Sequence, residues 1–362
     1  MQLIKKVFSV VAFFIAPLGL LAQEDLPQDY LPKESHASRR EALRKIMPAN
    51  SVAVVFSFPE RNYSNDVNYP YHQNPDLYYL SGYKEPNSVL VIYKEAQKTA
   101  QGQAYNEIFF VQKRNAAAEQ WNGRRLGVEG VKEKLGFDQV FNGEDFGKYP
   151  FNFSKFDHIL FSELPTDVRD TRDGADLFDL LASFRKAAGI TDDYDPSLSR
   201  MIENVKNLSP VNFERSKRTY TGMVNNNARF KNTVLEQFIA IRDSSELKAF
   251  QAKIELPKFQ DVSRLLAALR EVKTPEEIAL VRKAVRISGA GQTEVMKAIH
   301  PAMSETEIQG LHEFIHKKYG AEGVGYPSIV GAGGNGCILH YIENNRTKVG
   351  NNLVLMDVGA EY

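Results

Sequence analysis

The stretch that decides the fold is Val354-Leu355-Met356-Asp357-Val358-Gly359-Ala360-Glu361-Tyr362. Its aliphatic run predicts a strand. The Asp that ends this run, followed closely by Gly, places the Asp357 carboxylate where the strand ends and the backbone opens into a cavity. His340 lies upstream in Ile338-Leu339-His340-Tyr341, which we expect to form the preceding strand. Strands of one sheet hold polar groups rigidly, as a metal or proton-transfer site requires.

Composition indicates an ordinary globular protein, because 43% of the 362 residues are hydrophobic and 25% are charged. This length allows two domains with sizeable cores. The formal net charge of zero predicts no binding to nucleic acid or to an anionic membrane. Cys337 is the only cysteine, which excludes an intrachain disulfide and a cysteine-based zinc site. We expect it to be a small buried residue rather than a reactive thiol.

The N-terminus has the pattern of a secretory signal peptide. Lys5 and Lys6 precede an apolar run from Val7 to Ile15, and a small residue comes before the polar residues that begin at Gln23. The pattern predicts a cleaved signal at residues 1–22 and an exported protein, periplasmic or secreted, without stable membrane association. An uncleaved anchor is the alternative.

Helical and strand-like patterns alternate from about residue 35, which predicts an α/β domain over residues 35–200. Residues 201–245 are rich in Asn, Arg and Lys and have no clear period, so we expect a connector or a surface insertion. A second unit is predicted over residues 246–362. Within it, Thr274 and Ser304 each begin a capping box ahead of a helix.

The sequence His312-Glu313-Phe314-Ile315-His316 matches H-E-x-x-H on a predicted helix. In zinc proteases the two His bind the metal and the Glu is the general base. Such a site needs a third ligand on a suitable downstream element, and a glycine-rich, strand-like segment follows instead. We therefore interpret the match as one face of a helix.

The sequence Gly331-Ala332-Gly333-Gly334-Asn335-Gly336 satisfies G-x-G-x-x-G after a strand-like run. A dinucleotide site needs a helix to begin at the third glycine. The residues that follow look extended, which argues against a nucleotide. The glycines instead allow the backbone to turn sharply or to approach a substrate closely.

Taken together, the chain resembles aminopeptidase P, the Xaa-Pro aminopeptidases of the pita-bread metallopeptidase fold. Five segments in order carry the resemblance: residues 69–86, 119–127, 272–278, 331–341 (in the parts Gly331-Ala-Gly-Gly-Asn335 and Leu339-His340-Tyr341) and 356–362. The resemblance implies an α/β (α+β) protein, in which a mixed-sheet N-terminal domain precedes the first part of a pita-bread catalytic domain. Residues 200–245 are not matched.

The resemblance also implies a reaction, the metal-dependent release of the N-terminal residue from peptides with proline at the second position. Family members use two divalent metal ions, usually Mn²⁺ in bacterial members. Two close cations lower the pKa of a bridging water and polarise the scissile carbonyl. Proline-containing peptides are the implied partners, and a homo-oligomer, a dimer or tetramer, is expected by analogy.

By position in the family motifs, Asp357 corresponds to a metal ligand and His340 to the His that contacts the substrate. Trp121, the only Trp, either lines the substrate pocket or is buried in packing. A hydrolytic metal centre needs at least three protein ligands. The family's remaining ligands, a second Asp, a His and two Glu, would come after Tyr362. The resemblance thus indicates a chain truncated within the catalytic domain, which we expect to bind no metal pair and to be inactive alone.

Two alternatives remain. A prolidase shares the fold and the proline preference but cleaves dipeptides. A non-catalytic module could keep the scaffold only to bind peptides or proteins.

Overall fold

The computed structural model describes residues 29–362, so the predicted signal peptide at residues 1–22 lies outside the described residues. The chain divides into two compact units. The first, here called the N-terminal unit, is residues 32–272, and the second, the C-terminal unit, is residues 273–362 with 29–31. The boundary follows Val272, whereas the sequence-based division begins the second unit at residue 246.

The helices and strands of the described residues have the following bounds. The α-helices are α1 (Lys33–Ile46), α2 (Pro75–Ser81), α3 (Ala116–Asn122), α4 (Gly127–Leu135), α5 (Leu177–Ala188), α6 (Pro196–Lys206), α7 (Phe213–Asn226), α8 (Val234–Ile239), α9 (Leu247–Lys253), α10 (Ser263–Glu271), α11 (Pro275–Ala298) and α12 (Glu305–Lys318). The β-strands are β1 (Ser51–Phe56), β2 (Asn62–Ser64), β3 (Val67–Asn68), β4 (Val89–Lys98), β5 (Ala104–Val111), β6 (Val140–Asn142), β7 (His158–Phe161), β8 (Phe259–Asp261), β9 (Gly323–Val324), β10 (Ile329–Ala332), β11 (Val354–Asp357) and β12 (Ala360–Glu361). Short 3-10 helices lie at Gly143–Lys148, Phe153–Lys155, Pro210–Asn212, Ala228–Phe230 and Gly333–Cys337.

A mixed six-stranded sheet in the order β6-β5-β4-β1-β7-β8 forms the centre of the N-terminal unit. Strand β1 pairs antiparallel with β4 and parallel with β7. All six residues of β1 are buried. Because successive side chains of a strand point to opposite faces, β1 contributes to the apolar cores on both sides of the sheet. The predicted mixed-sheet α/β class is confirmed.

The segment 201–245, predicted to be a connector or insertion, contains helices with a core of their own. Buried residues of α6 to α9 and of the turns between them form one apolar cluster: Val205, Phe213, Val224, Phe230, Leu235, Phe238, Ile241, Leu247 and Ile254. The apolar positions of α7 are sparse among Asn, Arg and Lys residues, so its sequence shows no clear helical period. Burial of this cluster stabilises the segment.

The C-terminal unit is built on two packed helices, α11 and α12, with strand β10 against α12. Both predicted capping boxes are present. The Thr274 and Ser304 side chains each accept a hydrogen bond from the backbone of the third helical residue, and the Glu at that position binds back. Strand β10 pairs antiparallel with β11, and β9 pairs antiparallel with β12. Across residues 29–362, none of the helices has the length and apolar content needed to cross a bilayer.

Candidate active site

Asp357 is the last residue of β11, as predicted, and its side chain is exposed. Alternation along β11 explains this placement. Val354 and Met356 pack against the apolar cluster of the C-terminal unit, which leaves Leu355 and Asp357 on the opposite face. The strand therefore presents the carboxylate on its open side.

The Asp357 carboxylate is oriented by Tyr326, whose hydroxyl donates a hydrogen bond of 2.6 Å to Oδ1. This hydrogen bond to the carboxylate raises the pKa of Tyr326 above its usual value, so the phenol stays protonated and remains a donor at neutral pH. Tyr326 is a site residue that the sequence analysis missed, because it precedes Asp357 by 31 positions and follows no motif.

His340 does not lie on a strand, and this expectation was wrong. Residues 333–337 form a 3-10 helix, and His340 lies in the turn that follows, with its side chain exposed. The neighbouring Leu339 is 89% exposed. Ile338 and Leu339, with Tyr341 close behind, have a strand-like sequence. In the structure, however, this segment has no partner strand. His340 thus lies on a loop and Asp357 at the end of a strand, both within the C-terminal unit.

The conformation of the glycine-rich loop requires a glycine at position 331. A Cβ atom at Gly331 would come within 2.8 Å of backbone atoms of Asn335 and Gly336, so only glycine allows this close approach. The 3-10 helix at Gly333–Cys337 is five residues long and is not the α-helix that a dinucleotide site needs. Cys337 is exposed on this loop, which corrects the expectation that it is buried.

His312 and His316 lie one turn apart on α12 and are 0% and 1% exposed. Their ring centroids are 4.3 Å apart, and the two rings pack edge to face at an interplanar angle of 74°. Burial lowers the pKa of both imidazoles, and the neighbouring His316 lowers that of His312 further. Glu313 instead accepts a hydrogen bond from Gln309 at 2.9 Å. The H-E-x-x-H match is therefore a packing feature and not a zinc protease site.

Trp121 lies on α3 in the N-terminal unit and is 75% exposed. The expectation of a buried packing role is therefore wrong. The role in a substrate pocket stays a prediction.

Two family models match the chain. "Aminopeptidase P, N-terminal domain" covers residues 36–157, and "Metallopeptidase family M24" covers residues 279–362. The chain belongs to the aminopeptidase P group of the M24 metallopeptidases. Aminopeptidase P structures from two bacteria share its fold. That of Escherichia coli with the inhibitor Pro-Leu is 26% identical with a TM-score of 0.61, over 92% of this chain and 60% of that one. "Proline aminopeptidase P II from Yersinia pestis" has a TM-score of 0.60 at 26% identity, with the same coverage.

Curated relatives of this aminopeptidase P chain agree with the family models. The Xaa-Pro aminopeptidase of Escherichia coli is 29% identical over 336 residues, which is 92% of this chain and 60% of the relative. The Xaa-Pro aminopeptidase 3 of Dictyostelium discoideum is 28% identical over 355 residues, 95% of this chain and 53% of the relative. The chain therefore spans a little over half the length of these relatives.

The M24 family is one of metallopeptidases, whose chemistry requires a metal centre. Among residues 29–362, no group of three or more His, Cys, Asp or Glu side chains could hold a metal ion. Asp357 can offer an oxygen ligand, but a hydrolytic centre needs at least three protein ligands. By themselves these residues do not fit a two-metal centre.

Proposed function

We propose that the protein to which this chain belongs is an Xaa-Pro aminopeptidase. It would release the N-terminal residue from peptides with proline at the second position. The observation that supports this proposal is the pair of family matches in order, an aminopeptidase P N-terminal domain followed by an M24 domain. The matched relatives that we report are themselves named Xaa-Pro aminopeptidases.

Within this proposal, Asp357 is a metal ligand. Tyr326 donates to Oδ1 at 2.6 Å and fixes the rotamer of the carboxylate. A carboxylate oxygen accepts more than one partner, so Oδ2 remains available for a cation. A hard oxygen ligand suits Mn²⁺, the metal that we propose, in two copies.

His340 and Trp121 are the proposed substrate contacts. The exposed imidazole of His340 would donate to or accept from the peptide, because a neutral imidazole carries one donor and one acceptor. The 75% exposed indole of Trp121 offers a flat apolar surface for a side chain or a proline ring.

A prolidase is not favoured, because the relatives named above are aminopeptidases. The two activities are separated by substrate length. We expect the protein expressed from the complete reading frame to cleave Xaa-Pro-Xaa tripeptides faster than Xaa-Pro dipeptides, and to spare the matching Xaa-Ala-Xaa tripeptides. Faster cleavage of dipeptides would favour the prolidase, and no cleavage of either would leave the non-catalytic module.

The test of the site is Asp357→Asn in the same protein with Mn²⁺ present. Loss of a metal-ligating carboxylate should reduce kcat for the tripeptide by about 10²-fold or more, because the metal stabilises the developing charge. Glu294→Gln is the matched control, since this carboxylate of α11 forms an ion pair with Lys297 on the same helix and is not part of the candidate site. Retained activity in Asp357→Asn would contradict the assigned role.

Export and assembly complete the proposal. The signal-like pattern at residues 1–22 supports export to the periplasm or the medium, and the mass of the mature N-terminus in the native host tests it. A dimer or tetramer is proposed by analogy with relatives, and light scattering of the purified protein tests it.

A further inference from the structure

Glu305 is a buried carboxylate for which neither the sequence motifs nor the proposed chemistry provides a role. It is the first residue of α12 and is 0% exposed. An acidic side chain in the first turn of a helix ordinarily stays near its own helix, where the dipole favours it. Glu307 does so in the capping box with Ser304. Glu305 is directed elsewhere.

The Glu305 carboxylate binds three residues of the loop 333–346 and the strand residue just before it. It accepts hydrogen bonds from the backbone N–H of Ala332 at 2.7 Å and of Arg346 at 2.9 Å. It also accepts them from Asn335 Nδ2 at 3.1 Å and from the Tyr341 hydroxyl at 2.7 Å. Burial by itself would raise the pKa of Glu305, but these hydrogen bonds outweigh burial and hold the pKa below its usual value. The anchor is therefore ionised at neutral pH.

Residues 333–346, here called the His340 loop, are fixed by this anchor on both sides of His340. Asn335 precedes His340 and also donates to the Tyr341 hydroxyl at 2.8 Å. Tyr341 follows His340 directly and is 4% exposed, whereas His340 is exposed. The buried phenol of Tyr341 is thus bound by Glu305, whereas the imidazole of the adjacent His340 projects outward.

We propose that Glu305 is the positioning residue of the His340 loop, and that its carboxylate holds the His340 imidazole where a peptide substrate meets it. The role of His340 rests on the proposed function, but the anchoring of the loop does not. Glu305 acts through Tyr341 and Asn335 and has no contact of its own with substrate.

The anchoring is tested in the 362-residue chain by a nitroxide label on Cys337. This thiol is the only cysteine of the chain, is exposed, and lies in the His340 loop, so no cysteine need be added or removed. Glu305→Gln keeps the shape but gives up one oxygen acceptor and the charge. We expect a narrower central line in its electron paramagnetic resonance spectrum, because the loop becomes more mobile.

Glu307→Gln is the matched control, because Gln at this position of the same helical turn retains the capping box. Its spectrum should equal that of the unchanged chain. Tyr341→Phe removes the hydroxyl that donates to Glu305 and accepts from Asn335 but keeps the carboxylate, and it serves if Glu305→Gln fails to fold. A spectrum of the folded Glu305→Gln chain, or of Tyr341→Phe in its place, that equals the control would overturn the proposal.

The connection to His340 is tested by a double-mutant cycle on peptide hydrolysis in the protein from the complete reading frame. A misplacement of about 1 Å costs on the order of 10²-fold in rate, so Glu305→Gln should lower kcat/KM for the tripeptide by about that factor. If Glu305 acts through His340, adding Glu305→Gln to His340→Ala causes little further loss. A double variant that loses the product of the two single effects would overturn this step. Absence of hydrolysis in the unchanged protein would reject the proposed function, while the spectra would still decide the anchoring.

Discussion

Packing between α11 and α12 should weaken in mild acid because of the buried pair His312 and His316. Burial lowers the pKa of both below the ordinary value of 6.5, so folding favours their neutral forms. When α12 separates from its neighbours, the imidazoles become exposed and regain that ordinary value. The opened state then binds more protons below pH 6.5, and stability is lost as pH falls through this value. Above it, the stabilising effect of the neutral pair is complete.

The magnitude follows from proton linkage. Between pH 7.5 and pH 5.5, a group with an unfolded pKa near 6.5 and a lowered folded pKa lowers the free energy of opening by at most about 1.4 kcal/mol, the value for an imidazole that takes up no proton when folded. The two His together give at most about 2.7 kcal/mol. Packing leaves no room to hydrate the charge, since a Cβ atom at Gly291 of α11 would come within 2.8 Å of His312 Nε2. The Glu313 carboxylate is the nearby charge that opposes the effect, because it raises the pKa of both imidazoles.

The assay is hydrogen exchange of α12 peptides by mass spectrometry at a series of pH values, corrected for intrinsic exchange rates. His316→Leu should reduce the pH-dependent loss to about half, because one proton-binding group is removed. His300→Gln is the control, since the side chain of His300 is exposed and lies outside the packed face of α12. If α12 has equal protection at pH 5.5 and pH 7.5, or if His316→Leu leaves the loss unchanged, the reasoning is refuted.

Two further substitutions, each compared with a control substitution, have clear expected outcomes. Arg40→Met should lower the free energy of unfolding of the N-terminal unit by about 1–3 kcal/mol, because Glu107 loses its buried partner at 2.9 Å and keeps only Arg44 at 2.8 Å as an ion-pair partner. Arg61→Met, at an exposed pair, should cost under about 1 kcal/mol, and urea unfolding followed by circular dichroism compares the two. Gly331→Ala should cost about 1–3 kcal/mol, because its Cβ would collide with backbone of the same loop. Gly334→Ala meets nothing within 4 Å and should melt like the unchanged chain, which thermal unfolding would check.

Local patterns predicted the parts of the fold that depend on neighbouring residues. The helix starts at Thr274 and Ser304 are confirmed, because a capping box is complete within four residues. The sequence of β1 also indicates a buried strand, since its six consecutive residues, buried on both faces, form an apolar run. The edge strand β8, at Phe259–Asp261, was missed, because it is three residues long and its position depends on pairing with β7.

The His340 loop shows where sequence patterns fail. Ile338 and Leu339 have the composition of a strand, yet a strand needs a partner, and the register of β10 with β11 leaves none for them. The loop conformation depends instead on Gly331, where the backbone passes too close for a side chain, and on the anchor at Glu305. The G-x-G-x-x-G match includes Gly331, but nothing in that motif indicates the anchor at Glu305.

The contacts that arrange the candidate site connect residues far apart in sequence. Tyr326 reaches Asp357 across 31 positions, and Glu305 reaches Ala332, Tyr341 and Arg346 across 27, 36 and 41. A single sequence cannot reveal such pairs, because the Glu at position 305 has the ordinary composition of a first helical turn. Motif matching can therefore name Asp357 and His340, but only the structure identifies the residues that hold them. Substitutions at Tyr326 and Glu305 should consequently affect the site although neither residue belongs to a recognised motif.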